Sequence, residues 1–389
     1  MFSSRVPRQL QPNAFSKALD RARAAGRELI DLTVSNPTCA GITYPDGLFA
    51  PLSSPEVASY RPEPFGLRLA REAVAADYAR RHFSIAWDRI VLTASTSEAY
   101  SLLFKLLCAP AGDRVLVPAP SYPLFDHLTT LDGVGTGQYA LHYDGRWWVD
   151  LDSVDSAWDA AVRAVLAVSP NNPTGSVLSE RERLALTDRC ADRNAALITD
   201  EVFADYPLEP HALTPPASGP SPACLTFRLG GLSKSAALPQ VKLGWIAVDG
   251  PPALVDEALG RLELICDTYL SVSTPVQIAA PEMIAGGAGP RAQVLDRIRT
   301  NYGALKALAA RSPSVDVLQA DAGWSAVIRI PARDGEEAIT LTLLDRDAVV
   351  VYPGFFFDFP HEAFLVMSLL PEPAVFREGV RRVLERVDV

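Results

Sequence analysis

Short apolar runs alternate along the chain with longer stretches whose apolar residues recur at helical spacing. The runs at 164–168 and 195–199 are continuously apolar, which is typical of strands buried on both faces of a parallel sheet. Strands that alternate with helical stretches predict an α/β fold, a mostly parallel sheet with helices on both faces. Further strands are predicted at 90–93, 115–117, 225–229 and 364–369, and helices at 13–27, 69–83, 99–107, 121–131, 180–194, 253–264, 291–311 and 373–387.

The 389 residues are enough for two domains with a large buried core. The long predicted helix that begins at 291 would link them. We expect 1–44 to be an N-terminal arm and part of a small domain, and 45–290 to be a large domain. Residues 291–389 would form the linker helix and the rest of the small domain, an α+β unit built from both termini. The Pro-rich segment 207–222 is predicted to be a surface loop.

Composition and charge narrow the class of protein. Hydrophobic residues make up 48% and charged residues 21%, as in an ordinary globular protein. The formal net charge of −10 argues against nucleic acid or an anionic membrane as a partner. The five cysteines are far apart and form no Cys-x-x-Cys pair, which favours reduced thiols and offers no zinc site. Because neither a signal core nor a long apolar run occurs, a cytoplasmic protein is expected.

Polar residues follow four of the predicted strands, at the end where open α/β sheets bind their ligands. After the strand at 90–93, the hydroxyls of Ser95, Thr96 and Ser97 stand at the start of a helix. With the free backbone amides of that helix they would cradle a phosphate group. The same segment also fits a capping box between Ser95 and Glu98, which would merely complete the helix. Both interpretations remain open for this segment.

The other three strand ends carry an amide, a carboxylate and an amine. Asn172 can donate a hydrogen bond to a phenolate-like oxygen, although a Pro-Asn-Gly turn alone would explain its segment. Asp200 can pair with a protonated ring nitrogen, or it can simply cap a helix. Lys234 becomes a nucleophile that forms a Schiff base if burial lowers its pKa, and an ordinary surface lysine is the alternative.

A phosphate cradle, an oxygen donor, a pyridinium partner and an amine are together the groups that pyridoxal phosphate requires. These segments belong to a longer series: Tyr60 with Gly66 and Arg71-Glu72, Thr93 to Ala99, Pro118 to Pro123, Asn171 to Gly175, Asp200 to Phe203, Ser233-Lys234 and Leu243 to Trp245. In this series the chain resembles the class I/II aminotransferases, fold-type I pyridoxal-phosphate enzymes, over nearly its whole length.

The resemblance implies a role for each of these residues. Lys234 would form the Schiff base with the cofactor and then move a proton between the substrate Cα and the cofactor. Asp200 would pair with the pyridine nitrogen, Asn172 would bond the ring oxygen, and Tyr122 would stack on the ring. Tyr60 would reach in from the second subunit of a homodimer. The other expected cofactor-binding residues are Ser95, Thr96, Ser97, Ser233 and Lys242.

Two departures from the family pattern concern the cofactor. Phe203 stands where the family often has a tyrosine, so one hydrogen bond to the ring oxygen is absent. Lys242 stands where a phosphate-binding arginine is usual, and Gly231 replaces a serine three residues before the lysine. Since a lysine neutralises phosphate as a point charge rather than as a bidentate fork, phosphate binding is expected to be feasible but altered.

A third departure concerns the substrate. By register against Ser368, the arginine that ordinarily binds the substrate carboxylate is replaced by Val366. Losing such a charged hydrogen bond removes roughly 1.5–3 kcal/mol, about ten- to a hundredfold in affinity. Either another cation, such as Arg5, Arg61 or Arg228, compensates or the register is shifted. Otherwise the substrate carboxylate is absent, modified or held elsewhere.

The function expected from the resemblance is transfer of an amino group from an amino acid to a 2-oxo acid by a ping-pong mechanism. Another pyridoxal-phosphate reaction on the same scaffold, such as β-elimination, racemisation or cyclisation, is the first alternative, because the carboxylate arginine is missing. A non-catalytic binding or regulatory protein that retains the fold is the second alternative. The identities of the amino donor and the oxo acid stay open.

Overall fold

The computed structural model describes residues 1–7, 11–209, 222–270, 272–333, 335–361 and 363–388. Its helices are α1 (Ala14–Ala24), α2 (Arg68–Arg80), α3 (Thr96–Leu107), α4 (Phe125–Asp132), α5 (Leu151–Ala157), α6 (Glu180–Asp192), α7 (Leu232–Ser235), α8 (Pro252–Tyr269), α9 (Thr274–Gly286), α10 (Ala288–Ala309), α11 (Glu336–Asp347) and α12 (Pro373–Val387). Its strands are β1 (Ile30–Asp31), β2 (Ile90–Thr93), β3 (Arg114–Ala119), β4 (Gly135–Tyr143), β5 (Trp147–Val149), β6 (Val162–Val168), β7 (Ala196–Asp200), β8 (Thr226–Gly231), β9 (Gly244–Asp249), β10 (Asp316–Val317), β11 (Ser325–Arg329), β12 (Val349–Val350), β13 (Tyr352–Pro353) and β14 (Phe364–Ser368).

Eight strands form the central sheet, in the order β2-β9-β8-β7-β6-β3-β4-β5. The strands β8, β7, β6, β3 and β4 run parallel to one another, and β5 pairs with β4 in the antiparallel direction. β9 runs antiparallel between β2 and β8, so β2 and β8 point in the same direction. The predicted mostly parallel sheet is confirmed. The carboxyl ends of β2, β6, β7 and β8 consequently lie along one edge.

Helices cover both faces of this sheet. Ile198 of β7 packs in the apolar cluster that includes Phe104 of α3 and Leu262 of α8. The preceding residue, Leu197, points to the other face and packs in the cluster that includes Leu186 of α6. Two consecutive residues of β7 are thus buried on opposite faces of the sheet. This is why the sequences of such strands are continuous apolar runs. Within the described residues, no helix is long and apolar enough to cross a membrane.

A second, antiparallel sheet has the order β10-β11-β14-β13. The N-terminal part of the chain packs beside it: β1 and β12 form a separate two-stranded parallel sheet, and the Ser368 amide of β14 donates to the Leu32 carbonyl at 2.6 Å. On α10, the Asn301 side chain donates to the carbonyls of Leu369 and Pro371 at 2.9 and 2.8 Å. The two ends of the chain therefore meet at this sheet. The domain limits proposed from the sequence stay a prediction.

Most predicted elements are confirmed, and two differ in an informative way. α12 begins and ends at the predicted residues, whereas α4 begins at Phe125 instead of 121. The strand β4 was not predicted, because Gly135 and Gly137 interrupt its apolar pattern. A Cβ on Gly137 would lie 2.8 Å from the Leu116 side chain, so the close packing of β4 on β3 requires glycine there. The predicted loop 207–222 lies mostly outside the described residues.

The loop after β6 is clamped to the start of the second sheet at Gly175. Its carbonyl accepts hydrogen bonds from the amides of Asp321 and Ala322, both at 3.0 Å. Gly175 has φ +70°, and a Cβ on it would lie 2.5 Å from the Ala322 carbonyl oxygen. The amide of Gly323 donates to the Tyr206 carbonyl at 2.9 Å. The clamp therefore sets the position of the large sheet's loops relative to β11.

Replacing Gly175 with alanine is expected to lower the free energy of unfolding by about 2–4 kcal/mol. The new Cβ would meet backbone atoms that have no room to move, and the left-handed backbone adds strain. Chemical denaturation would measure the change. Gly303→Ala is the matched control, because no atom lies within 4 Å of its added Cβ and the residue is inside α10. There we expect a gain of about 0.5–1 kcal/mol, and an equal effect of the two variants would contradict the clamp.

Candidate active site

The register of the central sheet brings the four predicted strand ends together. Gly244 of β9 pairs with Thr93 at the end of β2 and also with Gly231 at the end of β8. Val168 at the end of β6 pairs with Asp200 at the end of β7. β7 and β8 are themselves hydrogen-bonded neighbours. The segments that carry Ser95, Asn172, Asp200 and Lys234 therefore begin side by side at one edge of the sheet.

Lys234 lies in the one-turn helix α7, which directly follows β8. Burial lowers the pKa of its amine to about 8, and the nearby Asp200 carboxylate opposes that shift. Its Nζ lies 4.8 Å from the ring centroid of Trp324 and 5.6 Å from that of Phe203. The Tyr206 hydroxyl donates to the Lys234 carbonyl and holds α7 in place. This lysine is therefore a buried amine and not a surface residue.

Asp200 ends β7 and is buried at 7% exposure. Burial raises the pKa of its carboxyl, while hydrogen bonds from the Tyr100 hydroxyl and the Val202 amide oppose the rise. Tyr100 of α3 donates to Oδ2 at 2.7 Å, and the Val202 amide donates to Oδ1 at 3.0 Å. A buried carboxylate in this position is stabilised by a cationic partner.

Asn172 has its carbonyl oxygen engaged by the second sheet. The Ser325 hydroxyl donates to Asn172 Oδ1 at 3.1 Å. Because Oδ1 is the acceptor of that bond, the amide nitrogen is left as the donor of this side chain. The neighbouring Asn171 is buried and donates to the Ser121 hydroxyl at 3.0 Å. The loop thus presents one amide donor in a fixed orientation.

Both interpretations of the segment before α3 find support in the structure. Ser95 is the N-cap, and its hydroxyl oxygen accepts a hydrogen bond from the Glu98 amide at 3.1 Å. The Glu98 carboxylate accepts from the Ala94 amide at 2.6 Å. The capping interactions are therefore present, while Thr96 and Ser97 begin the helix with backbone amides that point out of its N-terminus. Such an end attracts an anion.

The remaining predicted residues lie around this edge at different depths. Tyr122 is 41% exposed, and burial of its ring raises the pKa of its hydroxyl, as do the charges of Asp200 and Tyr352. Lys242 is exposed, with φ 61°. Ser233 is partly buried beside Lys234 in α7. Tyr60 is 70% exposed, so within a single chain it does not close the site.

Three residues at the site were not identified from the sequence: Tyr100, Ser325 and Trp324. Tyr100 lies one turn into α3, where it looked like an ordinary apolar-face residue. Ser325 begins β11 of the second sheet, and Trp324 directly precedes it. In the sequence, Ser325 is 153 residues from its partner Asn172. A local pattern predicts none of these contacts. The one signal that could have identified Tyr100 was its closeness in the sequence to the predicted phosphate-binding segment.

Val366 occupies β14, where it pairs with Val327 and Tyr352. It is 2% exposed and packs in the apolar cluster of the described residues that contains Val327 and Phe357. On the neighbouring β11, its register partner Val327 lies two residues from Ser325, which contacts Asn172. The position therefore contributes an apolar side chain and no cation.

The three arginines considered as substitutes lie elsewhere or have other contacts. Arg228 donates to Glu201 at 2.5 Å. It also precedes Leu229, the register partner of Asp200, so its side chain points to the opposite face of the sheet. Arg5 donates to the Leu131 carbonyl at 3.1 Å, and Arg61 is exposed. None of the three is therefore placed at Val366.

The residues at this edge fit pyridoxal phosphate. The amine of Lys234 has a pKa close to neutrality, and Asp200 is a buried carboxylate that a pyridinium would neutralise. Asn172 offers an amide donor, and α3 offers a helix N-terminus for a phosphate. Within the described residues no group of acidic, histidine and cysteine side chains suits a metal ion.

An open α/β sheet with a buried lysine, a buried carboxylate and a helix N-terminus on one edge defines a fold-type I pyridoxal-phosphate enzyme. The chain belongs to the family described as aminotransferase class I and II, whose sequence pattern matches residues 52–383. It is thus a transferase that moves amino groups. The family consists of pyridoxal-phosphate enzymes.

Individual relatives are distant in sequence. Glutamate-pyruvate aminotransferase AlaA of Haemophilus influenzae is 26% identical over 269 residues, which cover 68% of this chain and 66% of that protein. Alanine aminotransferase of Mycobacterium tuberculosis is 25% identical over 368 residues, covering 90% and 83%. The crystal structure of an aminotransferase from Escherichia coli has a TM-score of 0.86 at 22% identity and covers 99% and 97%. At that identity the structural match shows the fold alone.

Replacing Tyr100 with phenylalanine is expected to weaken pyridoxal-phosphate binding about ten- to a hundredfold. The lost hydrogen bond stabilises the ionised form of Asp200, so its removal raises the carboxyl's pKa further and favours the neutral acid. The defect should therefore be largest at low pH and shrink as the pH rises. Absorbance titration with the cofactor at several pH values measures it.

Tyr139→Phe is the matched control for this variant. Its hydroxyl is also buried on the central sheet, but it donates to the Leu166 carbonyl at 2.9 Å and not to a carboxylate. We expect that change to leave the pH dependence of cofactor binding as it is. The same pH-dependent loss in both variants would mean that the Tyr100–Asp200 hydrogen bond has no special part.

Proposed function

We propose that this aminotransferase moves an amino group from an amino acid to a 2-oxo acid in two half-reactions, with Lys234 and Asp200 as the catalytic residues. The observation that carries the proposal is the buried amine of Lys234 beside the buried carboxylate of Asp200. Pyridoxal phosphate, when bound, supplies a ring that accepts the amino group and withdraws electrons from the substrate Cα.

The chain's own residues would bind the cofactor, orient it and move the proton. Lys234 would bond to the cofactor at rest and, once released, would take the proton from the substrate Cα, for which a pKa of about 8 is suited. Asp200 would keep a proton on the ring nitrogen by pairing with it. Asn172, oriented by Ser325, would donate to the ring oxygen. Tyr122 would stack on the ring, and its exposed edge leaves room for substrate.

The phosphate would lie at the N-terminus of α3. There the hydroxyls of Thr96 and Ser97 and the helix amides supply donors, while Ser95 donates from the cap position. Ser233 lies beside the lysine on α7 and is a further donor at the same edge. Lys242 would contribute its charge from an exposed position, which suits a flexible point charge better than a fixed bidentate contact.

The substrate class follows from Val366 and its neighbours. Because this position contributes an apolar side chain, the α-carboxylate is held by groups other than residue 366. Val366 and Phe357 are buried in the same apolar cluster, so this part of the second sheet offers no charged partner to a substrate side chain, which favours an amino acid with an uncharged side chain. Relatives named alanine aminotransferase and glutamate-pyruvate aminotransferase make alanine the first donor to examine.

The reaction is tested by its first half. Purified enzyme loaded with pyridoxal phosphate should convert to pyridoxamine phosphate when it is mixed with alanine, and a 2-oxo acid should reverse the change. With serine in place of alanine, whose side chain offers a leaving group on Cβ, ammonia and pyruvate released without pyridoxamine phosphate would indicate β-elimination. A change of substrate handedness alone would indicate racemisation. A protein that binds no pyridoxal phosphate would be the binding or regulatory protein considered as the second alternative.

Lys234→Ala is expected to slow the half-reaction by at least about a thousandfold, because it removes the group that moves the proton. In the wild type, capture of pyridoxal phosphate by apoenzyme should accelerate as the pH rises through about 8, where the amine loses its proton. Lys105→Ala is the control, since its amine pairs with Asp132 on the surface. Full activity of Lys234→Ala would refute the assignment.

We further propose a two-fold homodimer in the cytoplasm, with Tyr60 of each chain completing the site of the other. Tyr60 is 70% exposed and lines a surface cavity together with Leu270, itself 48% exposed, so both side chains are accessible to a second chain. The five cysteines are free thiols, as suits a reducing compartment.

Mixing two inactive variants tests this arrangement. Lys234→Ala lacks the amine, and Tyr60→Ala lacks the side chain that we expect to act across the interface. In a mixed dimer, the site that retains Lys234 would receive Tyr60 from the other chain, so activity should return to roughly half per mixed dimer. No recovery on co-expression, with mixed dimers confirmed by two different affinity tags, would show that Tyr60 acts within its own chain or not at all.

A further inference from the structure

Trp324 lies where three of the predicted cofactor contacts meet. Its ring centroid is 4.8 Å from the Nζ of Lys234. It packs edge-to-face on Phe203, with ring centroids 5.5 Å apart. The next residue, Ser325, donates to Asn172. Trp324 thus contacts Lys234 and Phe203 through its ring, while the residue after it contacts Asn172. The family pattern quoted above does not include Trp324.

The indole ring is held by packing and by its backbone. It is 4% exposed, and it also packs edge-to-face on Tyr206 at 5.0 Å. The Trp324 carbonyl accepts from the Leu369 amide at 2.7 Å. Its Nε1 has no hydrogen-bond partner within the described residues. The orientation of the ring is therefore set by its aromatic neighbours, and the ring face is what it offers to Lys234.

A buried amine needs such a surface whenever it carries a proton. The negative π-face of tryptophan attracts an ammonium group more strongly than that of any other side chain, and the attraction grows when the site excludes water. Phe203 offers a second ring face at 5.6 Å. Because Phe203 has no hydroxyl, it offers the amine only its ring face. Both close ring neighbours of the amine, Trp324 and Phe203, are therefore purely aromatic partners.

We propose that Trp324 is a positioning residue that holds the amine of Lys234 on its ring face whenever this amine is protonated and is bonded to neither cofactor nor substrate. The inference rests on the proposed function only in taking Lys234 as the amine that bonds the cofactor. It gives that amine a defined resting place during each half-reaction, close to Asn172 and within the field of Asp200.

Other groups around the lysine must be kept constant in a test. The polar and charged side chains that contact this region from the surrounding elements are Asp200 at the end of β7, Tyr206, Tyr44, which donates to the Ala237 carbonyl, and Arg291 of α10, which donates to the Ser235 carbonyl. A substitution at Trp324 changes none of these groups. The ring is therefore the variable that the experiment isolates.

Capture of pyridoxal phosphate by apoenzyme measures the protonation of Lys234 directly. Wild type, Trp324→Phe and Trp324→Leu would be mixed with the cofactor from about pH 6 to about pH 10, a range that spans ordinary lysine titration. The adduct would be reduced with borohydride, and the modified Lys234 peptide would be quantified by mass spectrometry. No amino acid substrate is needed.

Loss of the ring face should destabilise the ammonium form. For Trp324→Leu we expect the pH midpoint of capture to move to lower pH, with capture at about pH 7 accelerated two- to tenfold. Trp324→Phe, which retains a weaker face, should lie between it and the wild type. Phe376→Leu creates a comparable loss in the same apolar core, on α12, and should leave the midpoint unchanged.

Two results would overturn the proposal. An unchanged midpoint in both Trp324 variants would show that the ring is only a packing element. A midpoint at higher pH would show that the ring acts by excluding water and not by holding the charge. If Trp324→Leu does not fold, Trp324→Phe decides between the same outcomes with a smaller change. A wild type that captures no cofactor at Lys234 would instead refute the proposed function, and this inference with it.

Discussion

The constraint on which the site depends is the burial of one amine beside one carboxylate. Burial alone lowers the pKa of Lys234 and raises that of Asp200, so each group is pushed toward its neutral form. Hydrogen bonds from Tyr100 and the Val202 amide oppose the shift of Asp200, and the mutual attraction of the two groups opposes both shifts. The parallel pairing of β7 with β8 enforces this proximity, because it ends the two strands side by side. The central sheet is thus the framework that keeps a reactive amine ready near neutral pH.

The surrounding contacts come from elements distant in the chain. Tyr100 of α3 stabilises the ionised carboxylate from one face of the large sheet. Ser325 and Trp324 reach the loop residue Asn172 and the lysine from the second sheet. That sheet is in turn clamped to the first by Gly175, where there is no space for a side chain. Any displacement of the second sheet would therefore alter the orientation of Asn172 and the environment of Lys234 together.

The sequence was informative about candidate functional residues that directly follow a predicted strand. Asp200 and Lys234 could be placed because continuous apolar runs predict buried parallel strands, and parallel strands bring their ends to one edge. Tyr100 could not be assigned in the same way, since its partner is 100 residues away. β4 escaped prediction because close packing on β3 requires glycine, which removes the apolar signal. At Ser95 the capping role and the phosphate-binding role are compatible, because capping of α3 leaves its N-terminal amides available.

The departures from the family pattern separate the chemistry of the site from its specificity. The residues proposed for proton transfer and for the ring nitrogen lie at the carboxyl ends of strands of the central sheet, and they follow the pattern. Phe203 lies just beyond β7, and its lost hydroxyl is accompanied by a tryptophan ring beside the lysine. Val366 lies on the second sheet among Val327 and Phe357, so an arginine there would be a charge buried among apolar side chains. A substrate carboxylate at this site therefore depends on groups other than residue 366.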